Sequence, residues 1–423
     1  MQHRRLSALA HAVLPAALAI GAVASTQPSN AQAPGTASAS PLVAPTVSGA
    51  VLEVQGRDGA WRRLAPAPAE FEQLADLGGA IAMRLGATGA GERGDGVERA
   101  QVELALDDAV LGRVAGAQGE TLELELLGGA RLSVSIDDVR RIVFAGRLGG
   151  ASAAEAPPSG DRLYWVRPKG LDRVDGSFQE FSSEGVVFES ALGVRTFPWA
   201  EVGALTIEPL GAAPVRERGA RSVSVDLAGG GRLHGDLLGV RDGSLRLNWR
   251  GRTPLALPLE ALAQVVLDDG SVAHLSGMKP ALAVEGWPEN DDTGMRWPYQ
   301  LDRSVMGDTL RSGGRAWPRG IGVHSPSRLE WELDGTWKAL HGAAAIDDSV
   351  KLLAYRGSVR CAIYLDGAQT PAWSSGRLEG GAAPVEFSGL SLDGVRRVAL
   401  VVEMDERLYV ADRLNWLDLR LVK

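Results

Sequence analysis

Strict two-residue alternation of apolar and polar side chains, with almost no helical periodicity, most constrains what this chain can fold into. Leu329, Trp331 and Leu333 alternate with Arg328, Glu330 and Glu332. Val359, Cys361, Ile363 and Leu365 keep the same period before an Asp366-Gly367 turn. Leu417, Leu419 and Leu421 alternate with Asp418 and Arg420. Successive strand residues point to opposite faces, so such runs bury one side only as sheet. Residues 398–404, Glu403 apart, are apolar on both parities, as a strand covered on both faces requires. The pattern predicts an all-β protein: a C-terminal jelly-roll-like β-sandwich preceded by repeated small β-barrel or meander modules.

The upstream theme is a strand, a glycine turn, a strictly alternating second strand and two further short strands. It is clearest over Gly231-Arg-Leu-His-Gly235, Gly243-Ser-Leu-Arg-Leu-Asn-Trp249 and Leu255-Ala-Leu-Pro-Leu259. An earlier copy carries Leu122, Leu124 and Leu126 against Glu123 and Glu125, and a weaker one begins at Asp161. Modules are expected at 100–148, 160–210 and 221–275, acting as spacer or interaction units, with the sandwich over 280–423. Residues 48–99 read as a short strand and helix region, the helix placed between Phe71 and Leu85, started after Pro68 and broken at Gly78-Gly79.

Residues 1–24 read as an export signal: His3-Arg4-Arg5, an apolar run to Val23, and Ala22-Val23-Ala24 as a small-x-small cleavage site. The Ala/Pro/Ser/Thr-rich stretch 25–47 reads as a disordered linker. An exported (periplasmic, cell-envelope or extracellular) protein is expected, with no transmembrane segment after signal removal. The single cysteine, Cys361, excludes an intrachain disulfide and sits at a core parity. A formal charge of −8, interspersed along the chain, offers no footprint for nucleic acid.

In the last third, Leu301-Asp-Arg-Ser304, Gly313-Gly314 and Arg319-Gly-Ile-Gly-Val-His324-Ser-Pro-Ser are followed in order by Leu333-Asp-Gly335, Ile346-Asp-Asp348, Gly357-Ser-Val359, Leu365-Asp-Gly367, Trp373-Ser-Ser375 and Asp412-Arg-Leu-Asn-Trp416. This series resembles the novel putative carbohydrate-binding module family (NPCBM), found with glycoside hydrolase family 98. The resemblance implies a β-sandwich that binds terminal sugars, galactose-type in the better-known members, sometimes with a structural calcium. The stretch from Leu340 to Asp347 and Arg413 depart from the family's pattern.

Seven of the eleven tryptophans follow residue 280, and aromatic faces beside short polar side chains serve both sugar binding and a large core. Trp317 is placed to stack on a pyranose. Trp416 shares parity with Asp418 and Arg420, so it faces ligand or covers an edge. His324 ends a Gly-x-Gly-Val strand, where a neutral imidazole either meets a sugar hydroxyl or bonds to backbone. Asp348 and Arg413 complete the expected carbohydrate-binding set of His324, Trp317, Asp348, Trp416 and Arg413. Asp347 and Asp412 are the candidate calcium ligands. Glu330 and Glu332 invite a glycosidase reading, but two same-face carboxylates on a strand make a wet surface more readily than a cleft. No nucleophile elbow, zinc helix or phosphate loop is found. The chain thus reads as a non-catalytic glycan binder that could also meet other envelope proteins. An envelope scaffold that has lost its sugar, and an accessory or unrecognised hydrolase, are the alternatives.

Overall fold

The computed structural model describes residues 51–65, 67–85, 97–149, 159–209, 215–251, 254–286, 297–405 and 410–423. The signal and linker expected over 1–47 lie outside these residues, as does Trp287. Apart from short 3-10 turns, every regular element among the described residues is a strand, so the fold is all-β. None of the described residues forms a helix long and apolar enough to cross a membrane.

The C-terminal part is a sandwich of two antiparallel sheets. One runs Gln300–Leu301, Gly320–His324, Arg413–Val422, Ala339–Ile346, Val385–Ser391, and Val272–His274 also pairs with the end of Arg413–Val422. The other runs Leu282–Glu285, Ser327–Glu332, Arg397–Met404, Ser358–Leu365, Trp373–Glu379. Their facing parities supply the core: Leu329, Trp331, Val359, Ile363, Leu400 and Trp416 are all buried in one cluster. Cys361 lies in this cluster, where burial pushes its thiol up to about 12, so it stays protonated and inert at neutral pH.

Upstream, one strand order occurs three times. Ala100–Leu104, Ala109–Gln118, Thr121–Leu126 and Arg131–Ser135 form a meander whose fifth strand, Val139–Val143, returns beside the first. The same pairings hold for Asp161–Arg167 through Val202–Thr206 and for Ser222–Leu227 through Leu262–Leu267. In each, the long second strand bulges: between Val114 and Gly116, Phe178 and Glu180, Leu237 and Gly239. A bulge bends the strand, which lets a short sheet curl over its own apolar face.

In place of the helix expected after Phe71 there is one 3-10 turn, Leu74–Asp76, and then a strand, Ala82–Leu85. Gly78 and Gly79 both adopt positive φ (73° and 77°), which ends any helical run. Ala82–Leu85 instead pairs with Leu52–Gln55 and with the last strand of the third meander.

Buried ion pairs tie that third meander to the sandwich. Asp226 accepts hydrogen bonds from Arg319 Nε (3.0 Å) and Arg232 Nε (2.6 Å), and Arg232 also reaches Asp302 at 2.9 Å. Burial alone would raise the Asp226 pKa, but the two guanidinium groups hold it below its ordinary value. Nearby, Asp418 accepts from Arg420, Gln264 and His274, and Arg420 also donates to Gln55. Burial lowers the His274 pKa to about 4, so at neutral pH Asp418 is charged against Arg420 and a neutral imidazole.

Candidate functional site

The strand Gly320–His324 is buried along its whole length. Gly322 makes this possible: a Cβ there would stand 2.3 Å from the Val305 backbone nitrogen, so only glycine lets segment 303–305 pass so close. The register of this strand against Arg413–Val422 sets His324 opposite Arg413.

The Trp297 ring stacks on the His324 imidazole, with centroids 5.5 Å apart and planes within 18°. His324 Nδ1 lies 2.9 Å from the Ser325 carbonyl oxygen. A carbonyl only accepts, so Nδ1 carries the proton and Nε2 of the neutral ring keeps its lone pair. Burial lowers the His324 pKa and the Arg413 charge adds to this, against the Ser325 hydrogen bond, so the ring is neutral at pH 7. Arg413 is half-buried and donates from Nη1 to Ser349 Oγ at 3.1 Å. His324 retains 9% of its surface, so the arrangement offers an aromatic ring, an acceptor edge and a guanidinium with little freedom to move.

Behind it, the buried Asp412 carboxyl accepts from the Ser325 hydroxyl (2.5 Å) and the Ser358 amide (3.0 Å). Burial outweighs these two hydrogen bonds and pushes its pKa up to about 6. A raised folded pKa means the fold favours the protonated acid. That stabilisation is full below the unfolded value near 4 and is lost as pH rises through about 6. Asp412→Asn should therefore gain stability relative to the parent as pH goes from 4 to 7, read as the difference in melting temperature. A difference that stays flat over that range would contradict the assignment.

The other expected site residues are placed differently. Trp317 is 5% exposed and packs on Leu310, Ala343, Ala345 and Leu417, with the Arg315 guanidinium 3.6 Å from its ring centre. Its indole donates to the Ser312 carbonyl. Trp416 is fully buried beside Trp373 at 6.0 Å. Asp348 accepts from the Gly314 amide and pairs with Lys351. The structure thus brings His324 and Arg413 together, next to Ser349, while Trp317 and Trp416 lie in packed clusters. Trp297 had no expected role: it lies outside the alternating strands, where parity assigns no direction.

Asp347 accepts from the Ser349 amide (2.9 Å) and Asn415 (2.6 Å), so its oxygens, like those of Asp412, are engaged by N–H and O–H donors. Among the described residues no group of three or more His, Cys, Asp or Glu side chains is arranged to hold a metal ion. Glu330 is held by Arg328 at 2.6 Å and faces Arg397, while Glu332 is exposed two residues on, so the pair does not flank a cleft.

The residues matched by a family model decide the class of this sandwich: 279–422 match the family described as NPCBM/NEW2 domain. They are an NPCBM/NEW2 domain. Over 124 residues, 28% of this chain, the protein is 32% identical to alpha-1,3-galactosidase B of Akkermansia muciniphila. The chain spans 15% of the length of that curated relative. Among solved structures, the CBM51 of Clostridium perfringens GH95 in complex with methyl-galactose aligns at 20% identity and a TM-score of 0.31. That alignment covers 36% of this chain and 99% of its own. The tandem CBM51 modules of the family 98 glycoside hydrolase from Streptococcus pneumoniae align at 13% identity and a TM-score of 0.30, covering 48% of this chain and 71% of theirs.

Proposed function

We propose that this is an exported, non-catalytic glycan binder, and that its NPCBM domain holds a terminal galactose-type sugar at the His324 end of the sandwich. The observation that carries the reading is Trp297 stacked on a neutral His324 beside Arg413. A pyranose is apolar on its C–H face and polar at its rim. An aromatic ring meets the first, and a fixed acceptor beside a fixed donor meets neighbouring hydroxyls. The relative with alpha-1,3-galactosidase activity in its name motivates the choice of galactose. The meander modules then act as spacer or interaction units.

A hydrogen bond from a charged donor contributes about 1.5–3 kcal/mol, so Arg413→Ala should weaken galactoside binding by roughly tenfold or more. Trp297→Ala should do the same. Titration calorimetry of the full chain with methyl-galactose, alongside a glycan array, reads both. Retention on no glycan by the folded protein, or unchanged affinity in both variants, would reject the reading.

A second reading, a protein-docking scaffold, has one observation in its favour. Leu352 is 94% exposed, and Tyr355 and Val410 are also exposed, on segments joined by the Ser358–Asp412 hydrogen bond. Such apolar side chains at a sandwich end suit a protein partner. On this reading the sandwich has lost its sugar: the parent protein should show no galactoside affinity, and replacing Leu352 and Tyr355 by serine should abolish partner capture there.

A further inference from the structure

Between the first and second meanders lies an open cleft of about 320 Å³ that shares no residue with the NPCBM domain. One side of it is strand. Residues 114–117 of the strand Ala109–Gln118 line it in succession. That strand is fixed at both ends of the stretch: Gly112 pairs with Ala100, and Gly119 exchanges two backbone hydrogen bonds with Phe181 of the second meander (2.8 and 2.7 Å). Between these points, residues 113–118 pair only with Thr121–Leu126 among the described strands, and they bulge between Val114 and Gly116. Backbone donors and acceptors are thereby left available to a ligand.

The cleft is also lined by Trp199. Its indole N–H donates to the Ser182 carbonyl at 3.1 Å, and its ring stacks on Phe181 with centroids 5.9 Å apart. The nitrogen is thus used within the fold and the ring is held in place, so Trp199 presents the cleft with ring surface. Beside it Arg147 is immobilised four ways. Its guanidinium lies 4.0 Å from the Phe144 ring centre, and it donates to Glu98 (2.7 Å), the Val202 carbonyl (2.7 Å) and the Trp199 carbonyl. Glu98 is left with a half-exposed carboxylate, and the exposed Ser183 adds a hydroxyl.

We propose that this cleft is a second saccharide site, taking one or two pyranose rings. Trp199 meets the C–H face of the ring, while Glu98, Arg147, Ser183 and the open backbone of residues 114–117 meet the hydroxyls at its rim. Two arguments select a sugar. A fixed aromatic face flanked by planar groups of both hydrogen-bonding senses matches a ring that is apolar on one aspect and polar around its edge. The volume is at the lower end of the range of roughly 300–1,000 Å³ for small-molecule pockets, too little for a peptide running the length of the open strand. Since the cleft and the His324 end share no side chains, each site stands or falls alone. Together they would raise avidity for a branched or repeated glycan.

The test uses the full chain labelled with 5-fluorotryptophan, the Trp199 resonance being assigned with Trp199→Phe. It is titrated separately with galactose, lactose, N-acetylglucosamine and glucuronic acid. At least one sugar should shift the Trp199 resonance, and Arg413→Ala should leave that shift in place. Ala115 is exposed in the bulge, so Ala115→Tyr fills the cleft without touching the core, and it should weaken the response about tenfold or more. A Trp199 resonance unmoved by all of these sugars, a shift indifferent to Ala115→Tyr, or a response only to an extended peptide would overturn the proposal.

Discussion

Replacing Asp226 by alanine is expected to cost about 3–5 kcal/mol of stability, because it strands buried positive charge between the third meander and the sandwich. Asp226 is 1% exposed and accepts from both Arg319 and Arg232. Arg232 keeps Asp302 as a second carboxylate, but Arg319, itself buried, is left with the Ser224 hydroxyl. Burial already pulls the Arg319 pKa below its ordinary value, and Asp226 is the main group that opposes that pull, with Asp302 adding to it. Denaturant titration followed by tryptophan fluorescence would read the loss. The double replacement Asp226→Leu with Arg319→Met should recover much of it, since removing both charges removes the uncompensated one. A loss under about 1 kcal/mol in the single variant would mean that Arg319 finds water or another partner there. The depressed Asp226 pKa sets the pH sense: this stabilisation is present at neutral pH and is lost as pH falls through and below the ordinary carboxylate range.

The second large effect is at Trp416. Its side chain is fully buried within the sandwich core, against Trp373 and among Leu414, Leu419 and Leu421. Trp416→Ala should cost about 3–5 kcal/mol through lost burial and the cavity left behind, whereas Trp416→Phe should cost much less. Any loss of glycan retention by Trp416→Ala should then follow the fraction unfolded and be restored by cooling or a stabilising osmolyte. A folded Trp416→Ala protein with intact stability and no sugar binding would instead make this residue part of the ligand surface.

The all-β class was legible because alternation is local information: Leu329, Trp331 and Leu333 need no distant residue to declare a buried strand face. The NPCBM domain was legible for a related reason, since its short motifs, from Asp302 to Trp416, follow one another along the chain. The segment from Phe71 to Leu85 shows where local reading fails. Phe71, Leu74, Leu77 and Ile81 are all buried and their spacing is helix-like, yet most of the segment is irregular and ends in a strand. Packing against neighbouring strands put those side chains inside without a helix, and the two positive-φ glycines forbade one.

Sequence by itself determined which runs become strands, which parities turn inward and which family the last third resembles. Tertiary structure alone decided where Trp416 points and what stands beside His324. Counting by twos puts Trp416 on the face of Asp418 and Arg420. The pairing of Arg413–Val422 with Ala339–Ile346 slips by one residue between Leu417 and Arg420, where Asp418 takes a φ of +52°. That bulge reverses parity, so Trp416 joins Leu419 and Leu421 in the core while Asp418 and Arg420 meet the meanders. In the same way, His324 and Arg413 are neighbours only through the register between their strands, and Trp297 reaches them from outside the strand pattern. Period-two patterning specifies faces; register, bulges and loop return are set by hydrogen bonds between residues far apart in the chain.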